Sequence, residues 1–178
     1  MFILRGGLLA GVLLGVGAAA SAQEPVTVDA FAVLEAAGSV VAVGADAHVF
    51  AGTMRGPYFV DTGEGPVPAG DIACAGMLEA DERTGRQTAS GRCRLVAVDG
   101  ATAFGAFTCE GFRLVGCVGP FTLTGGEGRL AGASGEGTIT LRRYATEFAV
   151  EAHGTVSEAA LGIASWKDLR VTLPTADE

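Results

Sequence analysis

Acid–base chemistry needs a carboxylate or an imidazole held where burial or a neighbour shifts its proton affinity. One stretch of this chain offers both groups together. In an extended segment from Ala145 to Val156, the two-residue period puts Glu147, Glu151 and His153 on one face. Phe148, Val150 and Ala152 share the other. Facing into a pocket, two carboxylates and an imidazole would be candidate catalytic groups. Facing outward, they are a solvated strand face. Antiparallel strands normally turn their apolar set inward, which favours the solvated face and a protein that is not an enzyme.

Other chemistries fail on spacing. His48 and His153 are the 2 histidines, neither lies in an H-E-x-x-H pattern, and no third ligand is placed beside them, so no metal is expected. Asp61 and Glu64 lie in DTGEGPVPAG, residues 61–70, which lacks the ligand spacing and closing Glu of a calcium loop. A loop is expected there from its Gly and Pro content. Ser134 sits in Gly-Ala-Ser-Gly and lacks the G-x-S-x-G elbow of hydrolases.

The 4 cysteines are Cys74, Cys93, Cys109 and Cys117. An even count in an exported chain reads as disulfides, and no C-x-x-C pair suggests a metal. A turn at Asp81–Gly85, centred between Arg83 and Thr84, sets Cys74 opposite Cys93. A second turn at Asp99-Gly100, centred on Ala101, sets Cys93 opposite Cys109. Cys93 thus has two candidate partners. Cys74–Cys93 with Cys109–Cys117 is preferred because both loops are local, and Cys93–Cys109 with Cys74–Cys117 is the alternative.

Residues 1–22 have the three parts of a secretory signal peptide: Arg5, an apolar run from Leu8 to Ala20, and Ala20-Ser21-Ala22 at the cleavage point. Export to a bacterial periplasm or the extracellular space is expected, with no membrane insertion after processing. Asn is absent and Lys occurs once, at Lys167, a bias that fits bacteria and excludes N-glycosylation. The full chain of 178 residues has 12 basic and 20 acidic side chains, a net charge of −8, and loss of Arg5 takes it to −9. That balance excludes nucleic acid and anionic membrane surfaces as partners.

What must position any site is a set of strands. Strand candidates are His48–Met54, with Gly56–Val60 continuing it beyond a bulge, and then Ile72–Glu79, Gln87–Val98, Thr102–Glu110, Gly116–Thr124, Gly137–Tyr144, Ala145–Val156 and Ser165–Leu173. Residues 23–44 read as a lead-in, 45–173 as one β-domain and 174–178 as a polar tail. Short antiparallel strands joined by Gly-rich turns indicate an all-β sandwich or a closed barrel of about eight strands.

The densest turn follows Phe121-Thr-Leu-Thr124. Gly125, Gly126, Gly128, Gly132, Gly135 and Gly137 crowd the path to Thr138-Ile-Thr-Leu141, and so many glycines exclude a helix. Gly126–Ala131 also fits G-x-G-x-x-G/A, but a dinucleotide site needs a helix next, so no cofactor is expected. The run GGEGRLAGASGEG, with Arg129 at its centre, resembles the GGTGRFAGARG signature of the allene oxide cyclase and dirigent barrel superfamily. Glu127 and Leu130 stand where the signature has Thr and Phe. The surrounding residues 52–143 resemble small secreted bacterial proteins with that barrel.

The resemblance implies a single closed antiparallel barrel. It also implies either a binder of a small apolar molecule, or an envelope component, or a cyclase enclosing an apolar substrate. Allene oxide cyclases use an Asn that this chain lacks. An interior volume of about 300 Å³ or more, with convergent polar groups, is what a binding or cyclase role requires.

Overall fold

The computed structural model describes residues 24–150 and 156–173. Eight antiparallel strands close into a barrel in sequence order. They are β1 (Val26–Ala42), β2 (Ala47–Asp61), β3 (Pro66–Asp81), β4 (Arg86–Ala97), β5 (Thr102–Phe112), β6 (Gly116–Glu127), β7 (Ser134–Val150) and β8 (Val156–Thr172). Closure comes from β1 pairing with both β2 and β8. Each strand thereby satisfies its backbone on both sides and leaves no exposed edge along the closed part.

The two-residue period sets the interior. On β3, Ile72 and Cys74 are buried while Asp71, Ala73 and Ala75 are exposed. Phe121, Ile72 and Ile139 are the largest fully buried side chains. Phe121 meets Trp166 edge to face, with ring centroids 5.5 Å apart, a geometry the ring quadrupoles favour. Small residues face these rings. A Cβ on Gly105 would lie 2.5 Å from the Phe121 ring, and one on Gly91 would lie 2.6 Å from the Phe107 ring. Glycine there is a demand of space, because a barrel this narrow admits an aromatic only where its neighbour has no side chain.

Both disulfides lie among the buried residues. Cys74 joins Cys93, and Cys109 joins Cys117. Cys74 and Cys93 face each other directly across β3 and β4. On β5 and β6, Cys117 instead faces Gly111, so the second bridge runs diagonally. With sequence separations of 19 and 8, loop-closure entropy puts their contributions at about 3 and 2.5 kcal/mol.

The structure corrects four expectations. Residues 26–42, within the supposed lead-in, form the first barrel strand. The loop expected over residues 61–70 shrinks to 62–65, because Pro66 to Gly70 already pair with β2, accommodated by a register shift at Tyr58/Phe59. Cys93 faces Gly105 rather than Cys109: Asp99 accepts the N–H of Ala101 at 3.1 Å and Gly100 takes φ +86°, which centres the turn on Asp99, two residues earlier than expected. Gly137–Tyr144 and Ala145–Val150 belong to one strand, whose alternation is broken by a register shift between Arg143 and Ala145.

Candidate functional site

The strands define two barrel ends. At the lower end lie residues 62–65, 98–101 and 128–133 together with the start of β1. The glycine-rich turn is there. It contains one turn of 3-10 helix, Gly128–Leu130, which the glycine count did not lead one to expect. Gly128 and Gly132 take φ of 65° and 81°, values that favour glycine. A Cβ on Gly126 would lie 2.4 Å from the Leu130 carbonyl and 2.5 Å from that of Thr102. Gly125 and Gly135 lie in the flanking strands β6 and β7. Arg129 pairs with Asp99. That guanidinium, and then the Ala101 N–H, hold the Asp99 carboxyl below its usual range. Burial pushes the Tyr58 hydroxyl above its usual range. The turn therefore closes the lower end and ties it to the 98–101 loop. It is not followed by a helix, so no dinucleotide cradle forms.

The upper half of the barrel is different. Below it, Phe121, Trp166, Ile72 and Ile139 fill the interior. Above them is a cavity of ≈ 90 Å³, walled by Leu34, Phe50, Met54, Phe107 and Leu141. Polar side chains also reach its walls, among them Gln87 from β4, Arg143 from β7 and Glu158 from β8, with Ser90 and Arg142 beside them. Glu158 is nearly buried, with 8% of its side chain exposed, and its Oε1 accepts a hydrogen bond from Arg143 at 2.7 Å. Arg143 is 32% exposed, so the pair spans the mouth from inside to solvent. Gln87 is 4% exposed, and its Oε1 has no hydrogen-bond partner.

Around the upper rim, the hairpin turns are cross-linked by charge. His48 Nδ1 lies 2.8 Å from Glu82, which also pairs with Arg113. The Arg142 guanidinium donates to the Val115 carbonyl. These contacts join β2, the 82–85 turn and the 113–115 turn.

Of the sequence candidates, Glu147 lies on the exposed part of β7, opposite Ala159 in register, and is not among the cavity walls. Phe148, next to it, faces Glu158 across the pair yet is 59% exposed, because β7 here has no pairing to β6. Glu151 and His153 lie outside the described residues. Among the described residues no group of three or more His, Cys, Asp or Glu could hold a metal.

Sequence reasoning missed three polar residues that the barrel does gather. The signal was phase. Glu158 is in step with Ala160, Gly162 and Ala164, Gln87 with Ala89, Gly91 and Cys93, and Arg143 with Ile139 and Leu141. A polar residue inside an otherwise apolar period-two set is placed inward.

No family profile matches the chain, and no curated protein matches it. Among solved structures, it is similar to the pterocarpan synthase dirigent protein GePTS1, at 13% identity and a TM-score of 0.41, over 93% of this chain and 100% of that one. A likeness at that level carries no argument about function. The eight-stranded closure stands on the strand pairing itself.

Proposed function

We propose that this chain is an exported, disulfide-stabilised binding barrel of the bacterial periplasm or extracellular space. It takes a small apolar molecule into its upper half without transforming it. The observation that carries this reading is the cavity of ≈ 90 Å³ with aliphatic and aromatic walls and a few convergent polar groups, the usual chemistry of a small-molecule site. The leader at residues 1–22 and two cystines both suit an oxidising compartment.

Volume decides against enclosure of a whole cyclase substrate. Drug-sized pockets begin at about 300 Å³, more than three times this cavity. A ligand that fits is either very small or inserts one apolar end while the rest stays at the mouth.

Native mass spectrometry of the protein purified from its own envelope tests the reading, followed by denaturation and identification of what is released. A stoichiometric small molecule on a chain starting at Gln23 and lacking four thiol hydrogens is expected. A chain that retains residues 1–22, has free thiols and carries nothing would overturn it.

A further inference from the structure

We infer that the cavity is built to receive a neutral ligand through one hydrogen-bond donor, an alcohol-type hydroxyl, which Gln87 accepts. This rests on the binding reading above and specifies its chemistry. Buried polar atoms in folded proteins almost always have a partner, so an orphan is a feature to be explained. Gln87 Oε1 is such an orphan in a residue that is 4% exposed and lines the cavity. Its neighbours across the sheet, Ala80 on β3 and Gly111 on β5, have no side-chain donor to offer. Its amide oxygen therefore waits for a donor that the described residues do not supply.

The charges nearby set the ligand's charge. Arg143 and Glu158 neutralise each other at 2.7 Å, and Arg142, which also lines the cavity, turns its guanidinium to the Val115 carbonyl. A carboxylate brought into the cavity meets Glu158, an ammonium meets Arg143, and each loses its hydration. A neutral donor meets neither penalty. The size follows from comparison: a cavity of about 150 Å³ takes benzene, so ≈ 90 Å³ takes a group somewhat smaller, with any longer tail at the mouth. The competing occupant is water, which has the same donor chemistry without the apolar body.

The test uses the full mature chain with 2-propanol and isobutane, two probes of nearly the same shape, both smaller than benzene, that differ by a hydroxyl in place of a methyl. Amide NMR titration reads binding at Ala80, Gly111 and the Gln87 side chain. Wild type is expected to bind the alcohol at least as well as the hydrocarbon. Gln87→Leu should shift the alcohol-to-hydrocarbon affinity ratio about tenfold towards the hydrocarbon, the scale of one lost buried hydrogen bond. Gln87→Met, closer in shape and also lacking the oxygen, should do the same if the leucine variant folds poorly. An unchanged ratio in both variants overturns the inference while leaving the binding barrel intact. Failure of both probes to bind wild type overturns the inference and the binding reading together.

Discussion

Removing Arg143 should be costly out of proportion to its exposure, because of what it leaves behind. In Arg143→Met the aliphatic stem is kept and only the charge and its donors go. Glu158, with 8% of its side chain exposed, is then a carboxylate facing apolar walls. Removing one partner of a buried pair typically costs 3–5 kcal/mol. Arg143 is 32% exposed, so water reaches part of the site and the expected loss falls to about 2–3 kcal/mol. The double variant Arg143→Met with Glu158→Leu removes both charges and should return to within about 1 kcal/mol of wild type, because an apolar replacement of a buried pair is often neutral or better. Urea unfolding of the oxidised protein at neutral pH, followed by fluorescence of Trp166, supplies all four corners of the cycle. Trp166 is the chain's 1 tryptophan and is 2% exposed, so it reports loss of the core directly. A cost below about 0.5 kcal/mol for Arg143→Met, with no coupling between the two sites, is the behaviour of a hydrated surface pair. It would refute the picture of a dry mouth.

Three further outcomes test the fold. Gly105→Val should destabilise by about 2 kcal/mol or more, since its Cβ meets the Phe121 ring at 2.5 Å; thermal unfolding should show partial recovery when Phe121→Leu is added, and additive losses would contradict the steric account. Replacing Cys74 and Cys93 together by Ala should lower stability by about 3 kcal/mol, slightly more than replacing Cys109 and Cys117, because the closed loop is longer; equal or reversed urea midpoints would argue against loop entropy as the cause. Asp81 is held below its usual proton affinity first by the Thr84 N–H, Asp29 by the Asp168 N–H and then Lys167, and Asp99 by Arg129. Depressed carboxyls stabilise the fold above their unfolded value of 3.8 and lose that contribution as pH falls through the lower folded value. Melting temperature should therefore drop as pH falls from about 4 downward, and Asp99→Asn should lessen the drop; an unchanged acid slope would remove Asp99 from the explanation.

How much of this was legible in sequence depended on contrast. β3 and β4 could be read because Asp71, Glu79, Arg92 and Arg94 alternate with Ile72, Cys74 and Cys93, and the turn has one centre. There Asp81 accepts the Thr84 N–H at 2.8 Å, a local bond that holds the turn where composition placed it. β1 escaped because its inward set is Val28, Ala30, Ala32, Leu34, Ala36 and Gly38, while Val33 and Val41 point to solvent. Small apolar residues on both faces erase the period. β7 was cut in two because the register shift at Arg143/Ala145 reverses the phase midway. Glu147 stands out because it shares its two-residue phase with Glu151 and His153, whereas Glu158 lies ahead of the strand expected at Ser165–Leu173 and is inward by the phase of Ala160 and Ala164. A carboxylate is conspicuous in a polar run, yet it is informative in an apolar one.

The division of the barrel into a filled and an unfilled half bears on why the cavity exists. At about 24 cal/mol per Å³, an unfilled ≈ 90 Å³ costs about 2 kcal/mol. Either cystine contributes about that much or more, so the staples across β3–β4 and β5–β6 can carry the void without loss of the fold. A purely structural barrel gains nothing by leaving it open. Ala89 and Ala160 stand on its walls, and larger apolar side chains there would recover packing energy at no evident expense in backbone geometry. The lower half shows that this chain can fill a barrel when filling is what matters: Phe121 and Trp166 interlock against Ile72 and Ile139. An interior packed at one end and hollow at the other is the distribution that the proposed binding role requires; an unpaired polar atom occurs in each half, Trp166 Nε1 within the packed rings and Gln87 Oε1 on the cavity wall, and only the second borders open volume.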